Sequence, residues 1–109
     1  PKAIEIKPNS AVYYTRGDVY RKLKKYPEAI ADYTKAIELD PKYVFAYNNR
    51  GNSAFAMKKY TDAIIDYTKA IELDPADANL FKNRAKTFKA LGKDKEAEDD
   101  LVKVKRLAK

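Results

Sequence analysis

The chain contains no cysteine, no histidine and no tryptophan, and its 109 residues include only three glycines and one methionine. Without cysteine or histidine there is no disulfide, thiolate nucleophile or imidazole base, and none of the usual zinc ligand sets can form. No metal and no cofactor is expected, and most catalytic chemistry is excluded. Neighbouring carboxylates such as Asp99 and Asp100 point in different directions on a helix, so they do not make an acid–base pair. No glycine-rich loop is present to cradle a phosphate. No stretch approaches the roughly 18 apolar residues that span a bilayer. The lack of cysteine fits a reducing compartment such as the cytoplasm.

What the chain has in abundance is charge and repetition. Lysine and arginine outnumber the acids 23 to 16, a net charge of +7 that favours acidic partners through long-range attraction. Charged residues make up 36% and hydrophobic ones 45%, a balance suited to a helix-rich globular chain.

The decapeptide "DYTKAIELDP" occurs twice, at Asp32–Pro41 and Asp66–Pro75, 34 residues apart. The same offset places Tyr13, Arg16 and Gly17 on Tyr47, Arg50 and Gly51, then on Phe81, Arg84 and Ala85. It also places Ala29, Tyr33 and Ala36 on Ala63, Tyr67 and Ala70, then on Ala97, Leu101 and Val104. Internal repetition at such a period marks a stacked array of small units.

Each unit holds two helical periods with a break between them. Val12, Tyr13, Gly17, Val19, Tyr20 and Leu23 recur at the three- and four-residue spacing of one helix face. A second period runs through Ala29, Ile30, Tyr33, Ala36 and Ile37, with Pro27 near its start, where a missing amide costs nothing. Pro41 and Pro75 end the second helices, because the residue before proline is pushed out of helical geometry. Gly17, Gly51 and the alanines at 29, 36, 63 and 70 let the two helices approach, while Tyr33 and Tyr67 fill the adjoining space.

These residues resemble the tetratricopeptide repeat (TPR) family. The match is carried by "AYNNRGNSAFAMKKYTDAIIDYTKAIELDP" at Ala46–Pro75, with aromatic, glycine, alanine, tyrosine, alanine and proline at the family's spacing. Arg16, Arg50 and Arg84 depart from it where leucine is commoner, as does Ala85 in the place of glycine. The resemblance implies an all-α fold of helix hairpins stacked into a right-handed superhelix. The expected organisation is a single domain, with repeats at 10–43, 44–77 and 78–109. Residues 1–9 are read as the tail of a preceding repeat helix, since "AIEIKP" echoes "AIELDP". The alternative there is a short N-terminal arm. Glu98 and Lys105 stand where Ile30, Ile64, Ile37 and Ile71 stand in the earlier units, so the third repeat reads as a polar C-terminal cap.

The resemblance further implies a non-enzymatic scaffold that takes a peptide or helix of a partner protein on the concave surface lined by the first helices. Excluding the core face leaves a stripe of Tyr14, Asp18 and Arg21 in the first unit and Asn48, Asn52 and Phe55 in the second. In the third unit the stripe is Lys82, Lys86 and Lys89. Thr15, Asn49 and Asn83 stand beside it. Asparagine amides both donate and accept, so they suit main-chain pairing with an extended peptide; solvated filler or an "NRG" packing motif is the alternative. Tyr14 and Phe55 are candidate anchors, and Arg21 and the lysines would select an acidic ligand.

The family's two-carboxylate clamp for chaperone tails ending in EEVD uses Lys, Asn, Asn, Lys and Arg. Those places hold Tyr14, Asp18, Asn49, Asn79 and Asn83 here, so only Asn49 matches and such a ligand is not expected. Two other readings remain open. One is nucleic-acid binding, motivated by the basic charge and nine tyrosines; most of those tyrosines are expected in core places. The other is self-assembly through an open N-terminal end, where Val12 and Val19 would lie exposed.

Overall fold

In the computed structural model, residues 9–108 are described and fall into six α-helices. They are α1 Ser10–Lys22, α2 Tyr26–Leu39, α3 Val44–Ala56, α4 Tyr60–Leu73, α5 Ala78–Ala90 and α6 Asp94–Leu107. The echo at Ala3–Pro8 lies outside the described residues.

Local chemistry sets the helix limits. The Asn9 side chain accepts a hydrogen bond from the Val12 amide at 3.0 Å, and Asp77 accepts from the Asn79 amide at 2.9 Å, each satisfying a donor that the first helical turn leaves over. Pro27 sits in the first turn of α2. The second helices stop at Leu39 and Leu73, with Asp40 and Asp74 as C-caps immediately before the prolines.

Within a hairpin the turn is built the same way three times. The amides of Lys25, Lys59 and Lys93 each reach back to a carbonyl five residues earlier, those of Tyr20, Ala54 and Phe88, at 2.8 Å. That bond requires a left-handed residue just before it. Lys24 and Lys58 take the position with φ of 62° and 61°, and Gly92 takes it in the third turn with φ of 75°.

Consecutive helices pack on one another throughout, and α1, α3 and α5 also touch across hairpins, whereas α2, α4 and α6 do not touch each other. First helices that crowd together while second helices spread apart curve the superhelix, with α1, α3 and α5 on its inner side.

Inside the first two hairpins the core is alanine and tyrosine, and in the third it is alanine without a tyrosine. Ala29, Tyr33, Ala36, Ala63, Tyr67, Ala70 and Ala97 are all buried. Between hairpins, Tyr47 and Leu80 pack with Ala70, joined by Ile37, Val44, Ile71 and Leu73. The Tyr47 hydroxyl donates to the Pro41 carbonyl at 2.9 Å and ties α3 to the preceding turn. Tyrosine is less of a core residue than the sequence reading expected. Only Tyr33, Tyr47 and Tyr67 are buried, while the other six lie half-buried along the seams between helices.

Candidate functional site

An ion pair to a buried aspartate recurs in every hairpin and links its two helices. Arg16, Arg50 and Arg84 each donate from Nε and one terminal nitrogen to both carboxylate oxygens of Asp32, Asp66 and Asp100, at 2.8–2.9 Å. The three aspartates are about 5% exposed, and each carboxylate meets its arginine as a charged partner there. Arg50 and Arg84 use a further nitrogen to reach Thr34 and Thr68 of the preceding hairpin, at 3.1 and 3.2 Å. The hydrogen bonds to Asp66 hold Arg50 protonated above its usual range despite burial. Each guanidinium also lies near an aromatic ring of its own helix, 5.7 Å from Tyr13, 5.8 Å from Tyr47 and 5.7 Å from Phe81. The arginines that looked like local departures from the family pattern are thus one half of a fork, and Asp32 and Asp66, the first letters of the repeated decapeptide, are the other. Their signal was available, since both residue types recur on the 34-residue period.

On the inner side the predicted stripe is linked by hydrogen bonds across the hairpins. The Asn49 amide donates to the Tyr14 hydroxyl at 2.8 Å and to Asp18 at 3.1 Å, and the Asn83 amide donates to the Asn48 carbonyl at 2.9 Å. Asn49 also accepts from Asn48 at 3.2 Å and from Asn52 at 3.3 Å. Both ends of Asn49 are therefore occupied. Asn52 accepts from the Tyr67 hydroxyl at 2.6 Å, as Asp18 accepts from Tyr33 in the first unit. Asn83 is different: its side-chain carbonyl accepts from no described residue.

Around Asp18 the network is dense. Arg21 donates to the Tyr33 hydroxyl at 3.1 Å and lies 3.6 Å from the Asp18 carboxylate. Tyr14 stacks beside Tyr33 and Tyr43, with ring centroids 5.8 and 4.9 Å away. Burial, and then the Asp18 charge, push the Tyr14 phenol up to about 12. Tyr14, Asp18 and Arg21 form a self-satisfied cluster whose charges are matched to each other.

The far end of the stripe is open. Lys82, Lys86 and Lys89 are exposed, and the Lys86 ammonium lies 4.6 Å from the centre of the half-buried Phe55 ring. Phe55 in turn meets the edge of Tyr60 at 5.2 Å. One turn upstream of Asn48 stands Phe45, which the sequence reading passed over, with 62% of its surface exposed. Thr15 does not join the others. It lines a shallow depression on the N-terminal face with Ala11, Val12, Arg16 and Val19.

Residues 17–58 match the family described as TPR repeat, and residues 44–77 match the tetratricopeptide repeat itself. The human serine/threonine-protein phosphatase 5 is 45% identical over 42% of this chain, and the human DnaJ homolog subfamily C member 7 is 48% identical over 38%. The chain spans less than a tenth of the length of these curated relatives, 9% and 8%, so the phosphatase match says nothing of catalysis here. Among solved structures, the first TPR of Spaghetti (RPAP3), bound to the HSP90 peptide SRMEEVD, superposes with a TM-score of 0.88. It is 31% identical, and the alignment covers 96% of this chain and 84% of that one. The second TPR of the same protein, bound to the same peptide, is 32% identical with a TM-score of 0.87, covering 91% and 92%. MamA, at 23% identity and covering 92% and 58%, shares the fold with a TM-score of 0.90. Three helix hairpins on a 34-residue period, closed by identical turns and matched along nearly their whole length by solved repeat domains, make this chain a member of the tetratricopeptide repeat family.

Proposed function

We propose that this domain is a non-enzymatic protein-interaction scaffold that holds a peptide or helix of a partner on the inner face of α1, α3 and α5. The two structurally similar domains that carry a bound peptide support this reading at the level of the fold. Their ligand, SRMEEVD, suits this chain poorly. Of the five clamp places only Asn49 keeps the family's residue, and here its amide is committed to Tyr14 and Asp18. The Asp18 carboxylate would repel a ligand carboxylate.

The observation that carries the proposal is the contrast along the stripe. At one end Tyr14, Asp18, Arg21 and Asn49 satisfy one another, while the exposed Phe45 on α3 and the exposed Lys82, Lys86 and Lys89 on α5 form no hydrogen bond or ion pair with the side chains of other described residues. An acidic peptide with two large apolar side chains fits that combination: its carboxylates meet the lysines and its apolar groups meet Phe45 and Phe55, roughly 15 Å apart along α3. Asn83, with a vacant acceptor, pairs with the peptide main chain. Asn49 and Asn52 set the spacing of the helices that present it.

Selection from a displayed random peptide library, followed by fluorescence anisotropy of the enriched peptides, tests this. Acidic sequences with two aromatic or aliphatic residues should emerge and should lose affinity on Lys82→Ala with Lys86→Ala, and on Phe45→Ala. Enrichment of nothing, or of peptides indifferent to all three changes, defeats the proposal.

Self-association is a second reading, favoured by one observation. Val12 and Val19 are about half exposed on the N-terminal face. Sedimentation over a concentration series decides it, because a strictly monomeric chain excludes the reading.

A further inference from the structure

The three hairpin turns share one set of backbone bonds, yet the residue at the tightest point differs. Lys24 and Lys58 stand in the left-handed region, where Gly92 stands in the third turn. A side chain there crowds its own backbone, and lysine lacks the short polar group with which asparagine or aspartate relieves the position. Gly92 demonstrates that glycine closes the same turn with the same bond, from Lys93 to Phe88 at 2.8 Å. Fold stability therefore does not account for the two lysines, and strained residues held in place by their surroundings gather at functional sites.

The surroundings indicate which function. Lys22, Lys24 and Lys25 are exposed at the first turn, Lys58 and Lys59 at the second, and Lys93 at the third. None of the six forms an ion pair with another described residue. Glu28, Asp62 and Asp94, in the first turns of α2, α4 and α6, offset part of this charge and leave the first two turns net positive. Beside the lysines stand aliphatic side chains at the same place in each turn: Leu23, 61% exposed, the half-buried Met57, and Leu91, 37% exposed. Because α1, α3 and α5 lie side by side, their turns share one edge of the solenoid.

Exposed leucines among unpaired lysines suit an interface with lipid: ammonium groups meet headgroup phosphates while aliphatic tips enter the boundary below them. A nucleic acid would be met by arginine forks or exposed aromatic faces. The edge offers neither. Arg21 is tied to Tyr33 and Asp18, and Tyr26 and Tyr60 are half-buried. We propose that the turn edge of the solenoid docks on an anionic phospholipid bilayer, with Lys24 and Lys58 as central contacts and Leu23 as a shallow apolar tip. The inner face of α1, α3 and α5 remains open to a peptide in that arrangement.

Co-sedimentation of the full chain with vesicles of phosphatidylserine in phosphatidylcholine, against phosphatidylcholine alone, tests the proposal. Binding should require the anionic lipid and weaken as salt rises. Lys24→Gly with Lys58→Gly should lower the partition coefficient roughly tenfold or more while raising Tm, so lost binding is not lost folding. Leu23→Ser should weaken binding with Tm unchanged. Three results overturn the proposal: equal binding to both vesicles, full binding by the double glycine variant, or displacement from vesicles by a single-stranded oligonucleotide at equal phosphate concentration. The last would reassign the edge to nucleic acid.

Discussion

The Cβ that Gly51 lacks would lie 2.8 Å from Cε1 of Tyr67, closer than carbon atoms approach in folded proteins. Gly17 stands in the same relation to Tyr33, at 2.9 Å. In the third hairpin the corresponding residues are Ala85 and Leu101, a larger residue on the first helix and a smaller one on the second. Glycine at this position is therefore coupled to the ring opposite, which is buried and has nowhere to move.

Gly51→Ala is expected to destabilise the domain by about 1–3 kcal/mol, the usual range for overpacking a filled core. Adding Tyr67→Leu, the pairing of the third hairpin, should recover part of that loss. Urea denaturation of the two single variants and the double variant measures the coupling. Strictly additive losses would mean that the ring is not the obstacle.

Arg50→Met leaves the Asp66 carboxylate buried without its partner, and about 3 kcal/mol of stability should be lost. Arg16→Met should cost less, because the Arg16 side chain is 59% exposed against 24% for Arg50. Replacing Arg50 and Asp66 together by apolar residues should restore most of the loss, since the desolvation cost disappears with the pair. Chemical denaturation of this set is the check.

Lys58→Gly is expected to stabilise the domain by about 0.5–1 kcal/mol, relief of the left-handed strain being partly offset by the greater freedom of glycine in the unfolded chain. Gly92→Lys should cost a similar amount. A calorimetric Tm in which Lys58→Gly falls and Gly92→Lys rises would contradict the strain argument.

The tyrosines predict the alkaline limit of stability. Burial raises the phenols of Tyr33 and Tyr67 above their ordinary 10, and raises Tyr14 to about 12. A group whose pKa is raised by folding stabilises the fold while it is protonated. That contribution is complete below pH 10 and is lost as pH climbs through the folded values. Thermal melts should hold steady up to about pH 10 and then fall. Tyrosinate absorbance should trail that of the unfolded chain, and Tyr67→Phe should flatten the decline.

The period, the hairpins and their stops were legible because each is a local property. Apolar spacing, prolines before which no helix continues and the exact repetition of a decapeptide need no knowledge of distant contacts. Subtraction of the apolar face also offered a stripe of Tyr14, Asp18, Asn48, Asn52 and the lysines, but its internal bonding was not legible. Asn49 reaches Tyr14 and Asp18 across 35 and 31 residues, and Arg50 reaches Asp66 across 16, so each partner was set by how helices stack.

The left-handed lysines went unread for the opposite reason: the pair at Lys24 and Lys25 recurs at Lys58 and Lys59, but nothing in a residue's name reports the sign of φ. Sequence alone determined an array of helix hairpins on a 34-residue period, since one repeated interface needs one repeated set of packing residues. Tertiary structure decided which polar groups are already satisfied by neighbouring hairpins and which still face outward, because a donor's partner is fixed by proximity in space rather than by position in the chain.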